Sequence, residues 1–162
     1  MPRPSRSAGM TIITTLITLS SGIFLAGARA PAPGEACSLL TKEDAAAALG
    51  EAATGPKAVG PLPAGPGSTV TGCEYTGSGI HNVKLNVTRL AASSVAMFKS
   101  ICGKKTKDGL AGMGDVACWY NEKHEELQVI KGSAFLSVQL RRGGNPTEPI
   151  IAVMKQALAK LK

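Results

Sequence analysis

Polar and apolar residues alternate most cleanly in two stretches of the chain. Val83, Leu85 and Val87 interleave with Lys84, Asn86 and Thr88, and Ala134, Leu136, Val138 and Leu140 share one face of Ser133–Arg141. A period of two is that of a strand buried on one side. Shorter runs at Thr71–Thr76, Val116–Asn121 and Glu126–Lys131 bring the expected sheet to about five strands. Gly77-Ser78-Gly79 and Gly132 supply tight turns between them. Elsewhere the period is helical. After Pro149, which suits a first turn, Ile150, Met154, Ala157, Leu158 and Leu161 form one apolar stripe. A helix opening at Ser93 or Ser94 sets Val95, Phe98, Ile101 and Cys102 at the same spacing. An earlier one is capped by Thr41, carries Glu43 and Asp44 where the helix dipole favours negative charge, and stops at Gly50. Residues 51–70 hold Pro56, Pro61, Pro63 and Pro66 among glycines and are expected to be a long surface loop. The order αββαβββα predicts the α+β class: an antiparallel sheet with helices packed on it.

The first thirty residues follow a different logic. Arg3 and Arg6 precede an uncharged, mostly apolar stretch from Met10 to Leu25, closed by Ala26-Gly27-Ala28-Arg29-Ala30. That order predicts a secretory signal peptide. Cleavage after Ala30 would set Pro31 just past the scissile bond, where its fixed φ suits a protease poorly. Cleavage after Ala28 avoids this, giving a signal peptide at 1–28, a flexible tail at 29–36 and one domain at 37–162. Threonines, serines and Gly22 dilute the apolar run below the ~20 residues that a spanning helix needs. Ala28 also stands where a lipoprotein cysteine would follow Leu25-Ala26-Gly27. The expectation is a periplasmic or secreted protein with no stable membrane insertion after cleavage.

Export changes how charge and cysteine are read. Removing Arg3 and Arg6 from the formal charge of +7 leaves about +5, a mixed surface that favours solubility. Tyr75, Phe98, Trp119, Tyr120 and Phe135 are too scattered for a base-stacking platform, so no nucleic-acid partner is expected. Cys37, Cys73, Cys102 and Cys118 contain no C-x-x-C, which argues against zinc and thioredoxin-like sites and for two structural disulfides. Four cysteines allow three pairings. Cys37–Cys73, across the Pro/Gly stretch, with Cys102–Cys118, across a Lys-rich loop, is the favoured one.

No catalytic constellation, metal frame or cofactor motif is written in the chain. His81 and His124 lack an H-x-x-H frame and are expected to face solvent. Gly77-Ser78-Gly79 is too short for a nucleophile elbow. Gly112-Met113-Gly114 precedes a strand, whereas a dinucleotide loop follows one. That glycine pair and Trp119, beside Lys104–Lys107, are the best candidate for an interaction edge, but a plain turn and a core residue are the favoured reading of them.

Cys37-Ser38-Leu39-Leu40-Thr41-Lys42-Glu43-Asp44, Ala48-Leu49-Gly50, Gly72-Cys73-Glu74-Tyr75 and Leu110-Ala111-Gly112-Met113-Gly114-Asp115-Val116-Ala117 before Cys118-Trp119 form a set. Together with the closing helix, the set resembles small exported bacterial proteins and lipoproteins of unknown function, over most of 37–162. That group in turn resembles the PsbP-like α/β/α sandwich proteins. The resemblance implies helices on both sheet faces and a Cys37–Cys73 bond, and it transfers no catalytic residue. A non-enzymatic module that binds an envelope protein or ligand is the leading expectation. Alternatives are a small periplasmic enzyme, either a hydrolase or a thiol–disulfide protein, and a secreted inhibitor of a foreign enzyme.

Overall fold

The computed structural model describes residues 34–105 and 107–162, so the expected signal peptide and residues 29–33 of the tail lie outside the described residues. Helices α1 (Glu35–Leu39) and α2 (Lys42–Leu49) lead into strands β1 (Thr54–Pro63), β2 (Thr69–Thr76) and β3 (Asn82–Arg89). Helix α3 (Ala92–Gly103), strands β4 (Val116–Trp119), β5 (Glu126–Lys131) and β6 (Ala134–Arg141), and helix α4 (Thr147–Lys160) follow. The six strands form one antiparallel sheet in the order β1-β2-β3-β6-β5-β4. Two three-stranded meanders thus meet along the β3–β6 ladder. The α+β class holds, with one strand and one helix more than the sequence pattern predicts.

Both additions fall where proline and glycine crowd the chain. Residues 51–70, expected as a loop, contain β1. A proline has no N–H for a ladder, but an edge strand has one side with no partner, and there the loss costs little. Pro56 and Pro61 lie at the two register breaks of the β1–β2 ladder, between Thr54 and Lys57 and between Val59 and Leu62. The Gly55–Pro56 and Gly60–Pro61 bonds are cis. Gly60, at φ 88°, passes so close to β2 that a Cβ there would lie 2.5 Å from the Val70 carbonyl oxygen. The second correction concerns the tail: Glu35 and Ala36 belong to α1. Ala36 and Leu39 are buried, Cys37 is bonded to Cys73, and Arg89 pairs with Glu35.

Alternation along the strands sorts side chains onto two unlike faces. Cys73, Tyr75, Val83, Leu85, Val87, Leu136, Val138, Leu127, Val129 and Trp119 face α1, α2 and α4 and form the main core. Helix α2 starts as the sequence predicts: Asp44 N–H donates to Thr41 Oγ1 at 3.2 Å, and Thr41 N–H donates to Asp44 Oδ2 at 3.1 Å. Every member of the predicted α4 stripe is buried.

The other face is mostly polar. Glu74, Lys84, Gln139 and Glu126 stand in one cross-strand row, with Asn86, Ser137 and Gln128 in the next. Helix α3 covers the β4–β5 end and reaches the start of β6, packing Phe98 on Phe135 with ring centroids 5.1 Å apart. Such limited cover explains why Ile101, expected on the buried side of this helix, is exposed.

Both disulfides join the cysteines in the favoured pairing. Cys37–Cys73 ties α1 to β2 with Cα atoms 4.9 Å apart, and Cys102–Cys118 ties α3 to β4 at 5.5 Å. Two such bonds fit an oxidising environment.

Candidate functional site

Three loops meet at one end of the sheet: the β2–β3 turn, the β4–β5 loop at 120–125, and the segment from β6 into α4. Between them lies an open cleft of about 740 Å³. Antiparallel pairing explains the convergence, because β2, β4 and β6 all end at this edge of the sheet. Loops held by a rigid scaffold in this way are common positions for binding residues.

Apolar and charged side chains share the cleft. Ile80 is 85 % exposed and Tyr120 is 55 % exposed, two of the largest apolar groups left in water. Lys105 Nζ lies 4.2 Å from the Tyr120 ring centroid, so a cation already covers one face of that ring. Glu126, on the floor, accepts from Gln128 Nε2 at 2.8 Å and from Gln139 Nε2 at 2.6 Å. Arg142 Nη1 donates to the Ala48 carbonyl at the end of α2, at 2.7 Å. Among the described residues, Lys123, Glu125 and Arg141 have no ion-pair partner.

His81 lines the same cleft and does not simply face solvent, as the sequence reading expects. Its Nδ1 lies 2.7 Å from Glu51 Oε1. Ser78 donates to this carboxylate twice, from its N–H at 2.9 Å and its hydroxyl at 2.6 Å. The Ser78 hydroxyl, then the Ser78 N–H, then His81 hold the Glu51 carboxyl down at about 2, against an ordinary 4.5. An ionised carboxylate accepts only, so Nδ1 carries the proton in this contact and Nε2 is the other ring nitrogen.

This cluster gives a measurable acid limb. Because folding lowers the Glu51 pKa, its stabilising effect is fully present above pH 4.5 and is lost as pH falls toward 2. Glu51→Gln is expected to lose stability at neutral pH and to converge with the parent near pH 2. A carboxyl ¹³C titration of Glu51 with its midpoint at the ordinary value would contradict the geometry.

His124 is also packed. Its ring stacks on Trp119 at a centroid distance of 4.4 Å, and its Nδ1 lies 3.3 Å from Thr147 Oγ1. Among the described residues no group of His, Cys, Asp and Glu is arranged to hold a metal ion.

Of the candidate edge Gly112-Met113-Gly114 and Trp119, the tryptophan takes the core place that the sequence reading favours, while Gly112 and Gly114 are exposed. Trp119 is 1 % exposed and Met113 is buried. Gly114, at φ 59°, leaves no room for a side chain, since a Cβ would lie 2.5 Å from the Ile130 carbonyl oxygen. Met113 and Trp119 belong to the core, Gly112 and Gly114 line a smaller open pocket ahead of β4, and the surface aromatic is the residue after Trp119, Tyr120. Strand alternation is the signal that distinguishes the two: if Trp119 points inward, Tyr120 points outward.

Comparison with protein-family models, with curated proteins and with solved structures finds no match to this chain.

Proposed function

We propose that the chain is an exported, non-enzymatic binding module of the bacterial envelope, periplasmic or secreted, that takes its partner or ligand in the cleft. The observation that carries this reading is the convergence of exposed Ile80 and Tyr120 with Lys123 and Arg141 on loops of a stapled scaffold. A volume of about 740 Å³ falls within the range of small-ligand sites. The disulfides and the N-terminal pattern support export.

One observation favours a second reading, a hydrolase. His81 against Glu51 has the form of an oriented general base. Against it, Ser78 gives its hydroxyl to Glu51 and not to the imidazole, so water would have to be the nucleophile. The thiol–disulfide alternative is weaker, because all four cysteines are bonded.

A photo-reactive residue introduced at position 80 or 120, in the native host, tests the binding reading. A reproducible adduct, small molecule or protein, is expected from both positions and none from position 155, an exposed site on α4. Equal labelling at position 155, or no reproducible adduct at all, would remove the proposal.

A further inference from the structure

We infer that the cleft binds a ligand with one oxyanion group, a carboxylate or phosphate, carried on a flat apolar body. This inference rests on the cleft being the binding site proposed above, and it adds the chemistry of what enters.

The lining charges set the sign. Lys123, Arg141 and Arg142 stand against Glu125 and Glu126. Both oxygens of Glu126 are already held by amide groups of the sheet, which fixes that carboxylate to the floor. Arg142 is likewise tied through Nη1 to Ala48. Arg141 is exposed and has no ion-pair partner among the described residues. Arg141 closes β6 and Arg142 follows it, so one short segment brings both arginines to the lining of the cleft. Guanidinium forks match the planar, two-oxygen edge of a carboxylate or phosphate better than a lysine does.

The remaining lining limits what that anion is attached to. Ile80 and Tyr120 leave apolar area exposed, and Lys105 occupies one face of the Tyr120 ring. With more than half of Tyr120 exposed, its ring offers area for stacking a flat group, and the nearby Lys105 charge favours an anionic one. Two carboxylates within the lining oppose a polyanion, which selects for a single charged group.

The test is a set of ¹H–¹⁵N NMR titrations of the oxidised protein with benzoate, phenyl phosphate, inorganic phosphate and the neutral isostere benzamide. Benzoate, phenyl phosphate or both are expected to shift amides at 79–81, 120–123 and 141–144, and the stronger of the two names the headgroup. Benzamide and inorganic phosphate should bind roughly tenfold more weakly or worse. Arg141→Gln should remove most of the affinity for the aromatic anion, and Arg141→Lys should restore part of it; an unchanged spectrum elsewhere shows that both variants fold. If benzamide binds the cleft as tightly as benzoate, the cleft reading stands and the anion inference falls. Inorganic phosphate binding as tightly as phenyl phosphate overturns the apolar body. If no anion moves these amides, the inference is lost, while labelling from positions 80 and 120 still decides the cleft reading separately.

Discussion

Replacing Cys37 and Cys73 together with alanine is expected to cost about 4 kcal/mol of unfolding free energy, and the same change at Cys102 and Cys118 about 3 kcal/mol. The order follows from loop closure: the first bond spans 36 residues and the second 16. Structure adds to the difference. Helix α1 has five residues, too few to hold a helix by itself in water. Its attachment is the bond to Cys73, a fully buried residue, together with Ala36 and Leu39 in the core and the Arg89–Glu35 pair. Once the bond is gone, α1 can leave the sheet and take that apolar surface back to water. A loss of about 4 kcal/mol is a large part of the 5–15 kcal/mol that holds an ordinary domain together. Urea unfolding of the two double variants at neutral pH measures both numbers. A reversed order, or a loss below about 1 kcal/mol for the Cys37–Cys73 pair, would show that α1 is held by packing alone.

What the sequence made legible depended on how far apart the deciding residues lie. The β3 and β6 alternation, the α4 stripe and the Thr41 cap are local patterns, and each is found where the residues predict it. Strand β1 was hidden because its prolines argue against a ladder unless the strand is known to lie at an edge, and strand order is a property of the whole sheet. Helix α1 was hidden because one turn carries too little pattern, and its partners lie on β2 and β3. The candidate site was legible only in pieces. His81 meets Glu51 across 30 residues, and Arg142 meets Ala48 across 94. Neither pairing leaves a trace in local spacing. The aromatic of the site, Tyr120, was not singled out, although the alternation already seen in β5 and β6 would have separated it from the inward Trp119 once β4 was aligned with them.

Those two neighbours make the second large prediction. Trp119→Ala is expected to cost about 3–5 kcal/mol, the range for emptying a large buried aromatic site. The side chain is almost fully enclosed, stacks on His124 and donates from Nε1 to the Asp108 carbonyl at 3.2 Å. Trp119→Phe separates volume from polarity: it fills part of the space, and because Asp108 is exposed its carbonyl can turn to water, so the loss should be smaller than for Trp119→Ala. Tyr120→Ala should behave in the opposite way. Its ring is more than half exposed, so stability should move by no more than about 0.5 kcal/mol, while binding of an aromatic anion in the cleft weakens. Denaturation and the NMR titrations, run on the same three variants, read both effects. If Trp119→Ala folds with near-parental stability, Trp119 is not the core residue its burial indicates. If Tyr120→Ala destabilises as much as Trp119→Ala, the outward-facing ring supports the fold, and its exposure cannot be used to argue for a ligand.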